Sequence, residues 1–236
     1  MIVLALETAT IEVGAALVSA DGLLAESRTP CRRRHAETLH GAVASVLSAA
    51  GVGVGDVDAV AVDVGPGLYT GLRVGIAAAK AFGFALGIPL VAVRSTEVLC
   101  RGAGGDPAAR DRAVVAVVDV RRGELAWEFP DGSLSIGAPA VLRARLADLG
   151  GRVLLVGDGA AQVAASPGEP QRGVALSYGG DALAAPSVST LGAIGVERLA
   201  AGATTDAVAI TPCYLRAADA RANWATRNSP ATEGRD

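Results

Sequence analysis

The sequence predicts an α/β protein of two lobes, each with a mixed sheet flanked by helices. Three observations carry that reading. Residues 1–102 run as strand, strand, strand, helix, strand, helix, strand, helix. A glycine-rich turn, Gly65-Pro66-Gly67, joins an apolar strand to a long helical segment. A stretch rich in Gly, Ala, Asp and Pro at 101–112 then separates a second, smaller lobe over 112–216.

Each element has its own signal. Residues 2–6 form an apolar first strand. Residues 13–18 and 23–27 follow as strands joined by Asp21-Gly22, a hairpin turn signal. The period then changes. Leu39, Val43, Val46 or Leu47, and Ala50 recur at helical spacing, and Gly51 suits the stop. Residues 53–56 loop into the strand 59–64, and the helix 71–86 follows, ended by Gly87-Ile88-Pro89. Residues 90–93 give a fifth strand, and Ser95 is placed to cap a short helix through Leu99. In the second lobe, strands at 113–118 and 124–129 are joined across Asp119-Val120-Arg121-Arg122-Gly123. A helix at 141–149, a strand at 153–156, the turn Gly157-Asp158-Gly159, a loop at 166–173 and a helix at 187–201 follow. The C-terminal part is expected to pack back on the first lobe, and 217–236 to be a disordered tail.

Composition narrows the function classes. Of 236 residues, 51% are hydrophobic, enough for a sizeable core, and the net charge of −3 argues against non-specific nucleic-acid binding. Arg32-Arg33-Arg34 and Arg121-Arg122 read as solvated faces. Cys31, Cys100 and Cys213 are far apart and form no framework, which fits a reducing cytoplasm. Glu7 and Glu12 interrupt the N-terminal apolar run, so no signal peptide is expected. Residues 74–93 are nearly free of charge, but Lys80 and Pro89 favour a buried helix and strand over a membrane span.

The strongest local signal is Gly65-Pro66-Gly67-Leu68-Tyr69-Thr70-Gly71-Leu72-Arg73-Val74-Gly75. Such a turn brings backbone close to an anion or to another segment of chain. It is no P-loop, because no Lys-Ser/Thr pair follows its second glycine. A phosphate cradle and tight strand–helix packing both remain open. Beyond it, Gly71, Gly75, Ala79 and Gly83 form a ridge of small side chains at four-residue spacing. The ridge suits either a partner helix or packing within its own lobe. The Leu39, Val43 and Leu47 stripe is core or interface on the same reasoning. Glu7 and Asp119 could face each other across an interlobe cleft and hold Mg²⁺ with nucleotide phosphates, with Thr8 and Thr10 as further nucleotide-binding candidates. Alternatively Asp119 caps its own turn and Glu7 is a structural acid. His35 and His40, five residues apart, point about 140° away from each other on a helix and do not converge on a metal. No G-x-S-x-G nucleophile elbow is present, and no catalytic residue or metal ligand is assigned.

Several segments together resemble the TsaB (YeaZ) family. They are Leu4-Ala5-Leu6-Glu7-Thr8-Ala9-Thr10, His35-Ala36-Glu37-Thr38-Leu39, the 65–75 turn, Val118-Asp119-Val120-Arg121-Arg122-Gly123-Glu124-Leu125 and Pro212-Cys213-Tyr214-Leu215-Arg216. The resemblance implies the actin/hexokinase/Hsp70-like ATPase fold. It also implies a non-catalytic subunit of the bacterial machinery that makes threonylcarbamoyladenosine in tRNA. Such a subunit would pair with a TsaD-like catalytic subunit through its first two helices and work with a TsaE-like ATPase. The assembly transfers threonylcarbamoyl to N6 of adenosine 37 in tRNAs that read ANN codons. On this reading tRNA is met only through the complex, ATP and Mg²⁺ are used by the complex, and no cofactor is tightly bound here. Alone, the chain is either a monomer or a homodimer, and the sequence does not decide between them. The catalytic TsaD relatives carry a His-x3-His metal pair after the strand that follows the shared turn; the matching Val93-Arg94-Ser95-Thr96-Glu97-Val98-Leu99 has no His. The chain also departs from the family pattern at Glu7, where members usually have Asp, and at Ala36 and Gly41. The alternative is a stand-alone ATP-dependent small-molecule kinase of the same fold.

Overall fold

The computed structural model describes residues 1–31, 34–165 and 173–215. Arg32-Arg33, nearly all of the expected 166–173 loop, Arg216 and the expected tail lie outside the described residues. The first lobe contains β1 (Ile2–Glu7), β2 (Glu12–Ser19), β3 (Gly22–Pro30), α1 (His35–Ala50), β4 (Ala59–Asp63), α2 (Tyr69–Leu86), β5 (Leu90–Val93) and α3 (Ser95–Ala103). The second half contains β6 (Ala113–Asp119), β7 (Leu125–Glu128), β8 (Leu134–Gly137), α4 (Pro139–Leu149), β9 (Gly151–Val156), α5 (Ala160–Ala165), β10 (Val174–Tyr178) and α6 (Val188–Ala200).

The predicted fold class is the one found: two mixed five-stranded sheets, each flanked by helices. Their strand orders are β3-β2-β1-β4-β5 and β10-β9-β6-β7-β8. The two sheets share one plan. In each, the first strand pairs antiparallel with the second and parallel with the fourth.

Strand β1 shows why the first sheet sits in the middle of its lobe. Leu4 and Leu6 belong to one apolar layer, Val3 and Ala5 to the other, and all four are fully buried. A strand covered on both faces needs this unbroken apolar run. Helices α1 and α2 cover the first face through residues such as Leu39, Val46, Ile76 and Ala79. Helix α6 covers the second face through Val188, Leu191 and Ile194, so a helix from late in the chain completes the first lobe. Helices α4 and α5 cover the outer face of the second sheet, and α3 covers its inner face through Leu99 and Ala103.

Helices α3 and α6 therefore lie between the two sheets. Arg198 on α6 donates to both carboxylate oxygens of Glu97 on α3, at 2.6 and 2.8 Å. Glu128, buried on β7, accepts from Arg94 at 2.8 Å and from the Thr96 hydroxyl at 2.5 Å. After α6 the chain crosses the first lobe as a strap. Thr205 donates to the Leu90 carbonyl at 2.7 Å, Ile210 is buried in the core, and Cys213 donates to the Val64 carbonyl at 2.7 Å.

Several elements differ from the sequence expectation. Helix α1 starts at His35, earlier than the periodic apolar residues alone predict. Ser95 is not the cap of α3. That position is Arg94, and the Ser95 hydroxyl bonds to Asp63 instead. Helix α3 runs on to Ala103, into the expected loop. Strands β8 and β10 and helix α5 were not foreseen. The two strands are sheet edges with only partial burial, so their apolar pattern is weak. No helix among the described residues is long and apolar enough to cross a membrane.

Candidate functional site

Two adjacent strands of the first sheet end in acids. Glu7 ends β1 and Asp63 ends β4, adjacent parallel strands, and both are buried. Glu7 Oε1 accepts from the Ala9 N–H at 2.6 Å. Asp63 Oδ1 accepts from the Gly65 N–H at 2.7 Å and the Ser95 hydroxyl at 2.6 Å. The two carboxyls lie within hydrogen-bonding reach of one another. Beyond this mutual contact, Glu7 Oε2 and Asp63 Oδ2 have no hydrogen-bond partner. Two carboxylate oxygens cannot bond unless one carries a proton. Burial pushes the Glu7 carboxyl well above its usual range, and the Asp63 charge pushes it the same way. Burial also raises Asp63, but bonds from Glu7, Ser95 and Gly65 oppose the rise. Glu7 is thus the member that more readily keeps a proton, with Asp63 as its acceptor.

Of the two readings of Glu7 and Asp119, the structure supports the local one, with Asp119 capping its own turn and Glu7 a buried acid. Asp119 ends β6 and turns to its own loop. It accepts from the Arg121 N–H at 2.7 Å and pairs with the Arg121 guanidinium at 3.0 Å. The Asp119 N–H in turn donates to Asp158 at 2.8 Å. Burial raises the Asp158 carboxyl, with a further push from the Asp119 charge. Thr8 and Thr10 are buried and bonded locally. The Thr8 hydroxyl donates to the Gly71 carbonyl at 2.8 Å, and the Thr10 hydroxyl accepts from the Glu12 N–H at 3.2 Å. Asp63, Ser95 and Asp158 escaped the sequence reading. The available signal for Asp63 was an acid closing an otherwise apolar strand just before Gly65.

The glycine turn is a packing device. The Gly65–Pro66 bond is cis. The Leu68 N–H donates to the Ala9 carbonyl at 2.7 Å and the Gly65 N–H to Asp63, so these two N–H groups of the turn bond inward. A Cβ at Gly67 would lie 2.3 Å from the Ala9 carbonyl oxygen, and one at Gly71 would lie 1.9 Å from the Thr8 carbonyl oxygen. Only residues without a side chain fit there.

The same geometry corrects the ridge. Gly71, Gly75, Ala79 and Gly83 are all buried. They face Thr8, Val62 and Leu90 of their own lobe rather than a partner. The opposite side of α2 is open. Between it and α1 runs a groove of about 570 Å³ lined by Ala36, Leu39, His40, Val43, Tyr69, Thr70, Arg73, Val74, Ala77, Ala78 and Phe82. Leu39 and Val43, from the predicted stripe, form part of this lining, whereas Leu47 packs against the core instead. His35 is buried, with its Nε2 3.2 Å from the Thr10 carbonyl, while exposed His40 borders the groove. Among the described residues, no cluster of three or more His, Cys, Asp and Glu is placed to hold a metal.

The TsaD family, tRNA N6-adenosine threonylcarbamoyltransferase, matches residues 29–139. An uncharacterised protein of Mycobacterium tuberculosis is 40% identical over 66% of this chain and 71% of its own length. The tRNA threonylcarbamoyladenosine biosynthesis protein TsaB of Bacillus subtilis is 30% identical over 95% of this chain and 98% of its own. The crystal structure of YeaZ from Pseudomonas aeruginosa superposes with a TM-score of 0.73 at 26% identity, covering 91% of this chain and 99% of that one. With two sheets of one plan and 30% identity to a TsaB over nearly the whole of both chains, this chain belongs to the TsaB (YeaZ) family.

Proposed function

We infer that this chain is a TsaB subunit of the tRNA threonylcarbamoyladenosine system, a non-catalytic scaffold that pairs with a TsaD-like catalytic subunit. The observation that carries the pairing is the open apolar groove between α1 and α2. Tyr69 and Phe84, at 51% and 66% exposure, extend apolar surface along α2. An apolar surface of this extent on one helix pair suits a protein interface. The non-catalytic reading rests on the acids. Glu7 and Asp63 bond to each other, Asp119 bonds to Arg121, and Thr8 and Thr10 bond to nearby backbone. These acids and hydroxyls make contacts within the chain, which favours a structural role for them over nucleotide binding. That arrangement lends nothing to the kinase alternative.

On this reading ATP turnover belongs to the assembled complex with a TsaE-like ATPase, tRNA is met through that complex, and the work is done in the cytosol. The test is co-purification with the TsaD-like protein of the same organism, followed by sizing and a threonylcarbamoyl-transfer assay. Ala78→Trp fills the groove and is expected to abolish pairing while the fold melts normally. ATP hydrolysis by the isolated chain, or pairing unaffected by the Trp, refutes the reading.

A further inference from the structure

At one end of the groove an arginine is held in place by two tyrosines. Tyr69 opens α2, and Tyr214 arrives on the C-terminal strap. Their rings stack with centroids 5.3 Å apart and planes 26° apart. The Arg73 guanidinium lies 4.0 Å over the Tyr69 ring, and its Nε donates to the Tyr214 hydroxyl at 3.0 Å. The strap is tied to the first lobe by Ile210 in the core and by the Cys213 N–H bond to the Val64 carbonyl.

This cluster is exposed, yet each of its three side chains contacts the other two. A guanidinium has five N–H donors, and Nε is one of them. With Nε engaged by Tyr214, the edge formed by Nη1 and Nη2 can still receive a carboxylate on two parallel bonds. No ion pair among the described residues engages Arg73. The first turn of α2 carries no acid either, so the positive end of the helix adds to the same field. A positive, pre-positioned fork therefore stands beside an apolar channel.

We propose that Arg73, held by Tyr69 and Tyr214, anchors a carboxylate of the protein that fills the α1–α2 groove, which makes the C-terminal strap a third wall of the pairing face. The proposal rests on the reading of the groove as the pairing surface and names the chemistry of the partner there. A carboxylate fits better than a nucleic-acid phosphate because the adjoining lining of Leu39, Val43, Val74, Ala78 and Phe82 is apolar. A protein helix can bury apolar side chains along that lining and end on an acid. A phosphate backbone has nothing to bury there. An arginine braced by aromatic rings at the edge of an apolar patch also has the composition of an interface hot spot.

The test uses the full chain and the TsaD-like protein of the same organism. Arg73→Glu, Arg73→Lys and Ala78→Trp are compared for pairing affinity at several salt concentrations. Each variant is also melted and titrated with unmodified tRNA. Arg73→Glu is expected to weaken pairing on the order of a hundredfold, and to flatten its salt dependence, with the melting temperature unchanged. Arg73→Lys keeps the charge but loses the fork, and is expected to fall between the two. If Ala78→Trp abolishes pairing while Arg73→Glu pairs normally, the anchor is refuted and the groove stands. If both variants pair normally, the groove reading itself has failed. If Arg73→Glu weakens tRNA binding by the isolated chain and leaves pairing intact, the anion is a phosphate and the proposal is overturned.

Discussion

Two glycines of the first lobe should answer the same substitution with opposite signs. Gly71 and Gly41 are both helical and both become Ala. At Gly41, on the exposed face of α1, an added Cβ meets nothing within 4 Å. Gly41→Ala should therefore stabilise by about 0.5–1 kcal/mol, the helical advantage of Ala over Gly. At Gly71 the added Cβ would sit 1.9 Å from the Thr8 carbonyl oxygen. That contact is to backbone, so no side-chain rotation relieves it, and the N-terminal turn of α2 must lift from the end of β1. Overpacking of this kind costs about 1–3 kcal/mol, and a clash so close belongs at the upper end. Lifting α2 also breaks the Thr8 hydroxyl bond to the Gly71 carbonyl, 2.8 Å in the native fold, a loss of about 1 kcal/mol. The helical gain of Ala offsets about that much, so the net loss is about 3 kcal/mol. For a chain of this length, that lowers the melting temperature by roughly 6–12 °C. Thermal unfolding followed by circular dichroism measures both variants. A Gly71→Ala protein that melts within about a degree of the parent would show that α2 does not seat on Thr8, and the account of the glycine turn would fail.

Two further outcomes follow from the titratable groups. The folded chain holds the Glu7 proton to higher pH than the unfolded chain, whose value is near 4.5. Its contribution to stability is complete below that value and is lost as pH rises through the raised folded value. Glu7→Gln keeps a donor toward Asp63 but does not titrate, so urea midpoints measured from pH 5 to 9 should decline less in the variant. Equal slopes would mean that the pair shares no proton. The Cys100 thiol is pushed up to about 11, first by burial and then by the Glu128 charge. Iodoacetamide at pH 8 should leave it unmodified in the folded protein and alkylate it in urea, as peptide mass spectrometry would show; rapid labelling of the native thiol would count against that environment.

Much of the first lobe was legible because its signals are local. Asp21-Gly22 sets the hairpin between β2 and β3, and Gly51 and Gly87 take left-handed conformations at the ends of α1 and α2. The second lobe was less legible. Strands β8 and β10 lie at sheet edges, where half-burial dilutes alternation. Position alone makes the Ser95 hydroxyl a cap candidate, but the fold turns it to Asp63, an acid 32 residues away in sequence.

The candidate site divides the same way. From sequence alone came the class of fold, the family likeness and the importance of the 65–75 segment, since each depends on residue types at fixed spacing. Spacing of four placed Gly71, Gly75, Ala79 and Gly83 on one side of a helix, but it carries no information about what that side meets. The tertiary structure turned the side inward onto Thr8, Val62 and Leu90, and left Tyr69, Arg73, Val74 and Phe82 around the groove. The pairing of Glu7 with Asp63 likewise required β1 and β4 to lie side by side, 56 residues apart in sequence. Helical and strand periods are properties of a few consecutive residues. Which face is covered, and which two acids must share a proton, depends on contacts between segments that only the packed chain brings together.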